Sequence, residues 1–181
     1  MLDDKLSIAE ETIEPQYIIS LNKFIFLAVI TFGLYTIWWN YKAWRFFQEK
    51  ENTDIMPAIR TIFGIFFLIR LFSKIIDLAK TKDYQKNYSP SLLFIAYLFL
   101  IFLSYLPEPY GLISIFAITC FIKPFKALNY AKMNDTGYEV IVQERFNGRQ
   151  IFLIVIGSIW WLLILASIVI ILSQQNEYIA Y

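Results

Sequence analysis

Long runs of apolar residues, separated by short polar and basic connections, set the pattern of this chain. Residues 151–173 form the clearest run, which extends for 23 residues without a charged side chain. Because a helix rises about 1.5 Å per residue, a run of this length can cross about 30 Å of hydrocarbon. The run therefore predicts a transmembrane helix.

Residues 21–41 predict another spanning helix, which ends among aromatic and basic residues. Trp38, Trp39 and Trp44 lie in or just after this stretch, interleaved with a lysine and an arginine. Aromatic rings and bases at the end of a membrane helix are typical of the lipid headgroup level. We interpret the three tryptophans as an interfacial belt, with an aromatic cage or lipid site as the alternative.

Residues 58–79 predict a helix of a different kind, because its apolar centre is only nine residues long and lies between Arg60 and Arg70. A charge at the bilayer centre costs at least about 2.5–3.5 kcal/mol. This helix therefore either dips into the membrane from the interface or forms a fifth, amphipathic span. Arg60, Arg70, Lys74 and Lys80 are the candidate contacts for lipid headgroups or anions.

The apolar run over residues 90–122 predicts a helical hairpin rather than one helix. As a single helix it would be about 50 Å long, which is too long for a bilayer even when tilted. Pro107, Glu108 and Pro109 interrupt it, and a proline disfavours the helical conformation of the residue before it. The predicted arms are residues 92–106 and 110–131, with the turn at the Pro-Glu-Pro sequence.

The polar segments complete the predicted organisation. Residues 1–20 are expected to form a flexible polar leader, and residues 174–181 a short polar tail. Residues 138–142 favour a β-strand but have too few partners for a sheet. The predicted fold is an all-α polytopic membrane protein with one transmembrane helical domain over residues 21–173. It has about four transmembrane helices plus the membrane-dipping or fifth spanning helix.

The distribution of bases predicts the orientation of the loops. Connections rich in lysine and arginine face the cytoplasm, which places residues 80–90 and 123–149 inside and the Glu108 turn and the tail outside. Residues 42–50 are also basic. If they too are inside, the amphipathic helix does not span and the N-terminus is outside. If that helix spans, the N-terminus is inside. The short apolar centre favours four spans.

Composition excludes several kinds of site. Cys120 is the only cysteine and histidine is absent, so disulfides, zinc sites and histidine-based catalysis are not expected. The acids nearest the membrane, Asp77 and Glu108, are predicted on opposite sides and cannot share a site. We expect no catalytic residue, metal or cofactor. A nucleic-acid partner is not expected either, because no block of bases is present.

Three short motifs resemble those of a known group of proteins. They are T-F-G-L-Y-T-I-W-W at residues 31–39, P-A-I-R-T-I-F at residues 57–63 and L-P-E-P-Y-G-L-I-S at residues 106–114. Over residues 23–173 the chain resembles an uncharacterised family of small bacterial polytopic membrane proteins. The resemblance implies a multi-pass protein of the bacterial inner membrane, and it transfers no catalytic residues.

The predicted function is that of a non-enzymatic structural or interaction module in the membrane. Its partners are membrane lipid, with a basic inner-leaflet face on anionic headgroups, and either a second copy of the chain or another membrane protein. The alternative is a small channel or carrier for an anionic or small solute. It would use the helix that carries Arg60, Arg70 and Lys74 together with the re-entrant-like hairpin.

Overall fold

The computed structural model describes residues 14–107 and 110–179, and this part of the chain is mostly helical, as predicted. A pair of three-residue strands and two 3-10 segments, Leu103–Tyr105 and Tyr110–Ile118, accompany the α-helices. In chain order the elements are β1 Gln16–Ile18, α1 Leu21–Ile30, α2 Leu34–Glu51, α3 Pro57–Ile62, α4 Gly64–Lys80, α5 Pro90–Phe102, α6 Thr119–Met133, β2 Val140–Val142 and α7 Gly148–Ile179.

The prediction of one spanning helix over residues 21–41 is wrong, because α1 and α2 fold back on each other. The ring of Phe24 on α1 lies 5.8 Å from that of Trp39 on α2, measured between centroids. In a continuous helix these residues would be about 22 Å apart. Between the helices, Phe32 and Gly33 have φ angles of 51° and 86°, a left-handed conformation that ends α1.

Hydrogen bonds satisfy the backbone at this tight turn. The Thr31 hydroxyl donates to the carbonyl of Leu27 at 2.6 Å and accepts from the N–H of Tyr35 at 3.0 Å. The N–H of Gly33 donates to the carbonyl of Ala28 at 2.7 Å, as in a Schellman motif. Thr31 is itself buried. The turn therefore leaves few orphaned polar groups, which allows it to lie in apolar surroundings.

The predicted helix over residues 58–79 is present but broken. It consists of α3 and α4, which are separated at Phe63, a residue with φ −89° and ψ 32°. Pro57 occupies the first turn of α3, where its missing N–H needs no partner. The apolar side of α4, which includes Leu71 and Phe72, is buried against α6, so this helix is part of the core.

The two arms predicted at residues 92–106 and 110–131 pack together as a hairpin. Tyr97 on the first arm lies 5.4 Å from Phe121 on the second, between ring centroids. The second arm begins as the 3-10 helix, whose rise of about 2.0 Å per residue lets a short segment reach further than an α-helix. Pro107 is exposed at the end of the first arm, and Glu108 and Pro109 lie outside the described residues.

The leader and the β-prone loop pair with each other, contrary to both predictions for them. β1 and β2 form a parallel two-stranded sheet in which Gln16 pairs with Val140 and Ile18 with Val142. Residues 14–20 are therefore ordered, while residues 1–13 lie outside the described part. The sequence concealed this pairing because the two strands are separated by more than one hundred residues, and neither has a neighbour nearby in the chain.

α7 is longer than predicted, since it runs to Ile179 and takes in most of the residues assigned to a polar tail. It packs against the hairpin of α1 and α2. Trp161 stacks on Phe32 with ring centroids 4.8 Å apart, and its indole N–H donates to the carbonyl of Val29 at 3.3 Å. Gly157 faces the carbonyl of Ile30 directly, which brings the two backbones close together.

The polar connections meet at one end of the molecule. Lys50 and Lys82 both form ion pairs with Asp135, the second at 3.4 Å, and Lys74 pairs with Glu51. Burial raises the pKa of the Asp135 carboxyl. Hydrogen bonds from Lys50, Lys82 and the N–H of Gly137 outweigh this effect, so the pKa is below its usual value. The loops after α2, α4 and α6 therefore share one side.

The same end includes the sheet. Both predicted orientations place residues 42–50 and the segment before α1 on opposite sides of the membrane, and the fold does not agree with this. The side chain of Lys23 at the start of α1 donates to the carbonyl of Gln143, 2.9 Å away, in the loop that follows β2. Because α1 and α2 fold back, residues 14–20 and the loop after α2 lie on the same side. The basic residues 42–50 and residues 14–20 are therefore not on opposite sides of a spanning helix.

Within the described residues, two helical stretches are long and apolar enough to cross a membrane, Leu112–Met133 and Gly148–Ile171, so the four or five predicted spans are not confirmed. Leu21–Ile30 and Pro90–Tyr105 are shorter apolar helices. The first long stretch is partly buried in the core, whereas almost none of the second is buried.

Candidate functional site

A large cleft lies beside the polar end of the bundle. Its volume is about 1170 Å³, and it is bounded by α2, α6, the start of α7 and the segments at residues 14–19 and 143–147. The sheet between β1 and β2 forms part of its edge because it holds residues 14–19 against the loop before α7.

The half of the cleft away from the polar end is apolar. It receives side chains from three helices, and those on α2 and on α6 are three to four residues apart, which places them on one face of each helix. These residues are Leu34 and Trp38 on α2, Phe125 and Leu128 on α6, and Phe152 and Leu153 on α7.

The half nearer the polar end is charged. Its lining includes five bases and two described carboxylates, so the positive charges exceed the negative ones by three. The bases are Lys42, Arg45, Lys132, Arg145 and Arg149, and the carboxylates are Glu14 and Glu49.

Arg45 takes both of these carboxylates. Its guanidinium lies 2.7 Å from Glu14 and 2.8 Å from Glu49, the latter one helical turn along α2. The hydrogen bond to Glu49 raises the pKa of Arg45 against the opposing effect of burial, so the arginine stays charged. Arg45 therefore links α2 to residues 14–19 through ion pairs and is not a free cationic group.

Lys132 is the most unusual group in the cleft, because its side chain is buried and only 6% of the residue is exposed. Its ammonium donates to the side-chain oxygen of Gln16 at 2.9 Å and lies 4.4 Å from the ring centroid of Phe46. Among the described residues, no carboxylate lies within ion-pair distance of it. A buried cation is costly without an anionic partner.

The wall formed by α7 is fixed by the buried amide of Gln150. Its Nε2 donates to the hydroxyl of Tyr35 at 3.0 Å, and its Oε1 accepts from the side chain of Gln143 and the N–H of Asn147. These bonds connect the start of α7 to α2 and to the preceding loop. Gln150 therefore holds the cleft in shape.

The four bases predicted as lipid or anion contacts do not line this cleft. Arg60 stacks over Trp44 at 4.5 Å from its ring centroid, and one of its buried guanidinium nitrogens has no hydrogen-bond partner among the described residues. Lys74 is paired with Glu51. Arg70 and Lys80 are exposed.

The predicted belt of tryptophans is wrong for two of its three members. Trp39 and Trp44 are buried in the core between α2 and its neighbours, with 8% and 1% of their surface exposed. Only Trp38 is substantially exposed. It stacks on Tyr41 and has the ammonium of Lys42 5.8 Å from its ring centroid, at the edge of the cleft.

The sequence interpretation missed Lys132, and a signal for it was present. Phe125, Leu128 and Lys132 follow one another at positions i, i+3 and i+7, which places the lysine on the apolar face of α6. A base on an apolar helical face is costly to bury unless it is paired. The prediction treated Lys132 only as one of the bases of residues 123–149, so its position on the apolar face was missed.

Neither a metal site in the described residues nor a similar known protein is found. In the described residues, no group of three or more Asp, Glu, Cys or His side chains could hold a metal ion. Comparisons with family models, with curated proteins and with solved structures gave no match. The arrangement of the chain's own residues is therefore the basis for assigning its function.

Proposed function

We propose that this protein is a non-enzymatic, multi-pass integral membrane protein of the bacterial inner membrane, and that it acts as a structural or interaction module. In this proposal its polar end faces the cytoplasm and its bases contact anionic lipid of the inner leaflet. The observation that carries the proposal is the exposed apolar surface of α7, which no described part of the chain covers over most of its length.

The other helices support this interpretation, because they too expose large apolar side chains away from the polar end. Soluble monomers rarely expose contiguous apolar patches of more than a few hundred Å². Lipid is the environment in which such a surface is stable. Residues that are more than half exposed include Ile62 and Phe66 on α3 and α4, Leu92, Ile95, Phe99 and Phe102 on α5, and Leu162, Leu165 and Val169 on α7.

The charges favour one orientation. Exposed bases near the polar end face water or headgroups, and loops of this kind are usually cytoplasmic. Each base near an anionic membrane surface contributes about 1 kcal/mol of attraction. Such exposed bases include Lys42, Lys80, Lys86, Arg145 and Arg149.

In this proposal the segments differ in how far they cross. α7 and the hairpin made by α5 and α6 span or nearly span the membrane, while the hairpin of α1 and α2 enters from the cytoplasmic side and returns to it. The contact of Gly157 with Ile30 supports this depth. It places the tip of the hairpin about 14 Å along α7 from Gly148, roughly half of the hydrocarbon thickness.

The arrangement gives less support to a channel or carrier built on Arg60, Arg70 and Lys74. A permeation path for anions needs free cationic groups along a shared cavity. Lys74 is neutralised by Glu51, and Arg60 is covered by the rings of Trp44 and Phe67. Self-association or another membrane protein remains part of the proposal for the exposed faces of α5 and α7.

Cysteine labelling in whole cells tests the spanning segments. On a Cys120→Ala background, cysteines replacing Pro107 and Ser173 should react with a membrane-impermeant maleimide from outside intact cells. A cysteine replacing Asn87, which is exposed at the polar end, should react only after the cells are opened. Labelling of all three positions in intact cells, or of Asn87 alone, would contradict the proposed topology.

A further inference from the structure

We propose that the cleft between α2, α6 and α7 binds one anionic phospholipid, with its phosphate at the ammonium of Lys132 and an acyl chain along the apolar half. This inference rests on the proposed function, because it takes the ligand from the inner leaflet of the surrounding membrane.

The first support is that polarity changes in the same direction along all three helices of the cleft. On α2 the lining passes from Leu34 to Lys42, and on α6 it passes from Phe125 to Lys132. α7 runs the opposite way along the chain, and its lining is apolar at Phe152 and basic where it begins. An amphiphile with a single charged end matches such a gradient, whereas a compact soluble anion uses only one end of it.

The second support is the bonding of Lys132. An ammonium has three N–H donors, and here Gln16 accepts one hydrogen bond while the ring of Phe46 covers another side. The nearby carboxylates are engaged by Arg45. A phosphate oxygen at this position would favour the charged ammonium form of Lys132, and the exposed bases Lys42 and Arg149 line the same half of the cleft.

The third support is the way into the cleft. Leu34 and Phe152, at the apolar end, are 62% and 64% exposed, so the cleft opens sideways between α2 and α7. In the proposed topology this opening faces lipid chains. A phospholipid can therefore enter laterally without leaving the membrane.

The size of the cleft agrees with such a ligand. Its volume of about 1170 Å³ exceeds the usual range of about 300–1,000 Å³ for pockets that hold drug-sized molecules. It therefore accommodates a headgroup together with part of a chain.

Native mass spectrometry of the full chain tests this inference. Protein purified in a neutral detergent is titrated with phosphatidylglycerol, and the fraction that retains one lipid is measured. Lys132→Gln should weaken retention of the first lipid at least tenfold. Lys126→Gln is the matched control, because it removes the same charge from an exposed position on the same helix. The control should stay within about twofold of the wild type.

Further measurements separate a loss of binding from a loss of fold, and phosphatidylglycerol from other ligands. Lys132→Arg, with the melting temperature of each variant, shows whether a loss of binding reflects the charge or a loss of fold. The arginine variant should keep more binding than the glutamine variant at equal stability. Phosphatidylcholine and inorganic phosphate, each at ten times the concentration of phosphatidylglycerol, should not displace the bound phosphatidylglycerol.

Two results would overturn the inference. Equal weakening by Lys132→Gln and Lys126→Gln would mean that lipid is held only by overall charge. Displacement by inorganic phosphate would mean that the site takes a soluble anion. Neither result alters the labelling pattern of Pro107, Ser173 and Asn87, so a failure of this inference is distinguishable from a failure of the proposed membrane topology.

Discussion

Replacing Gly157 by alanine is expected to separate α7 from the hairpin of α1 and α2 and to reduce the yield of folded protein sharply. A Cβ at this position would lie 2.9 Å from the carbonyl carbon of Ile30 and closer still to its oxygen. Both atoms belong to the backbone, which cannot move aside as a flexible side chain does. Overpacking of this kind costs roughly 1–3 kcal/mol or more, and folded yield and melting temperature in detergent measure it.

Gly148→Ala is the control, because it lies on the same helix and a Cβ there would meet no atom within 4 Å. Since alanine is the better helix former, this variant should be neutral or slightly stabilising. If Gly157→Ala behaves like Gly148→Ala, the close approach of α7 to Ile30 is not present in the protein.

Trp44→Ala is expected to cost about 3–5 kcal/mol of stability, in the range observed when a large aromatic residue is removed from a core. Only 1% of Trp44 is exposed, and its ring also supports the guanidinium of Arg60. The substitution therefore leaves a cavity and removes the cover from a partly buried charge. Thermal unfolding followed by near-ultraviolet circular dichroism or by aggregation in detergent measures the effect.

Trp38→Ala provides the comparison on the same helix. Trp38 is 41% exposed, and its loss should lower stability by much less than the loss of Trp44. If the two variants are destabilised equally and weakly, both rings lie at an interface, as the sequence alone suggested.

The pattern of apolar runs correctly predicted a mostly helical chain, and the two arms around Pro107 pack together as a hairpin as expected. It failed at Gly33, because α1 and the first two turns of α2 are apolar and form one continuous run in the sequence. Glycine does not by itself indicate a turn, since membrane helices tolerate it well. The left-handed conformation of Phe32, which completes the turn, has no sequence signal.

The cleft was harder to predict than the helices. Its walls come from residues 14–19, α2, α6 and the start of α7, which are far apart in the chain. No local motif records their meeting. The parallel pairing of β1 with β2 brings Gln16 to Lys132, and three-residue strands with distant partners leave only a weak pattern. The helical periodicity of α6 was the one usable signal, because it places Lys132 among apolar residues.

The claim that the hairpin of α1 and α2 enters and leaves on the same side has a direct test. Cysteines replacing Tyr17 and Thr53, both exposed and located on either side of the hairpin, are introduced singly on the Cys120→Ala background. An impermeant maleimide is applied to intact cells and to inverted membrane vesicles. We predict that both positions are protected in cells and labelled in inverted vesicles. Labelling of one position in cells and of the other in vesicles would show that this segment crosses the membrane, and would contradict the fold described above.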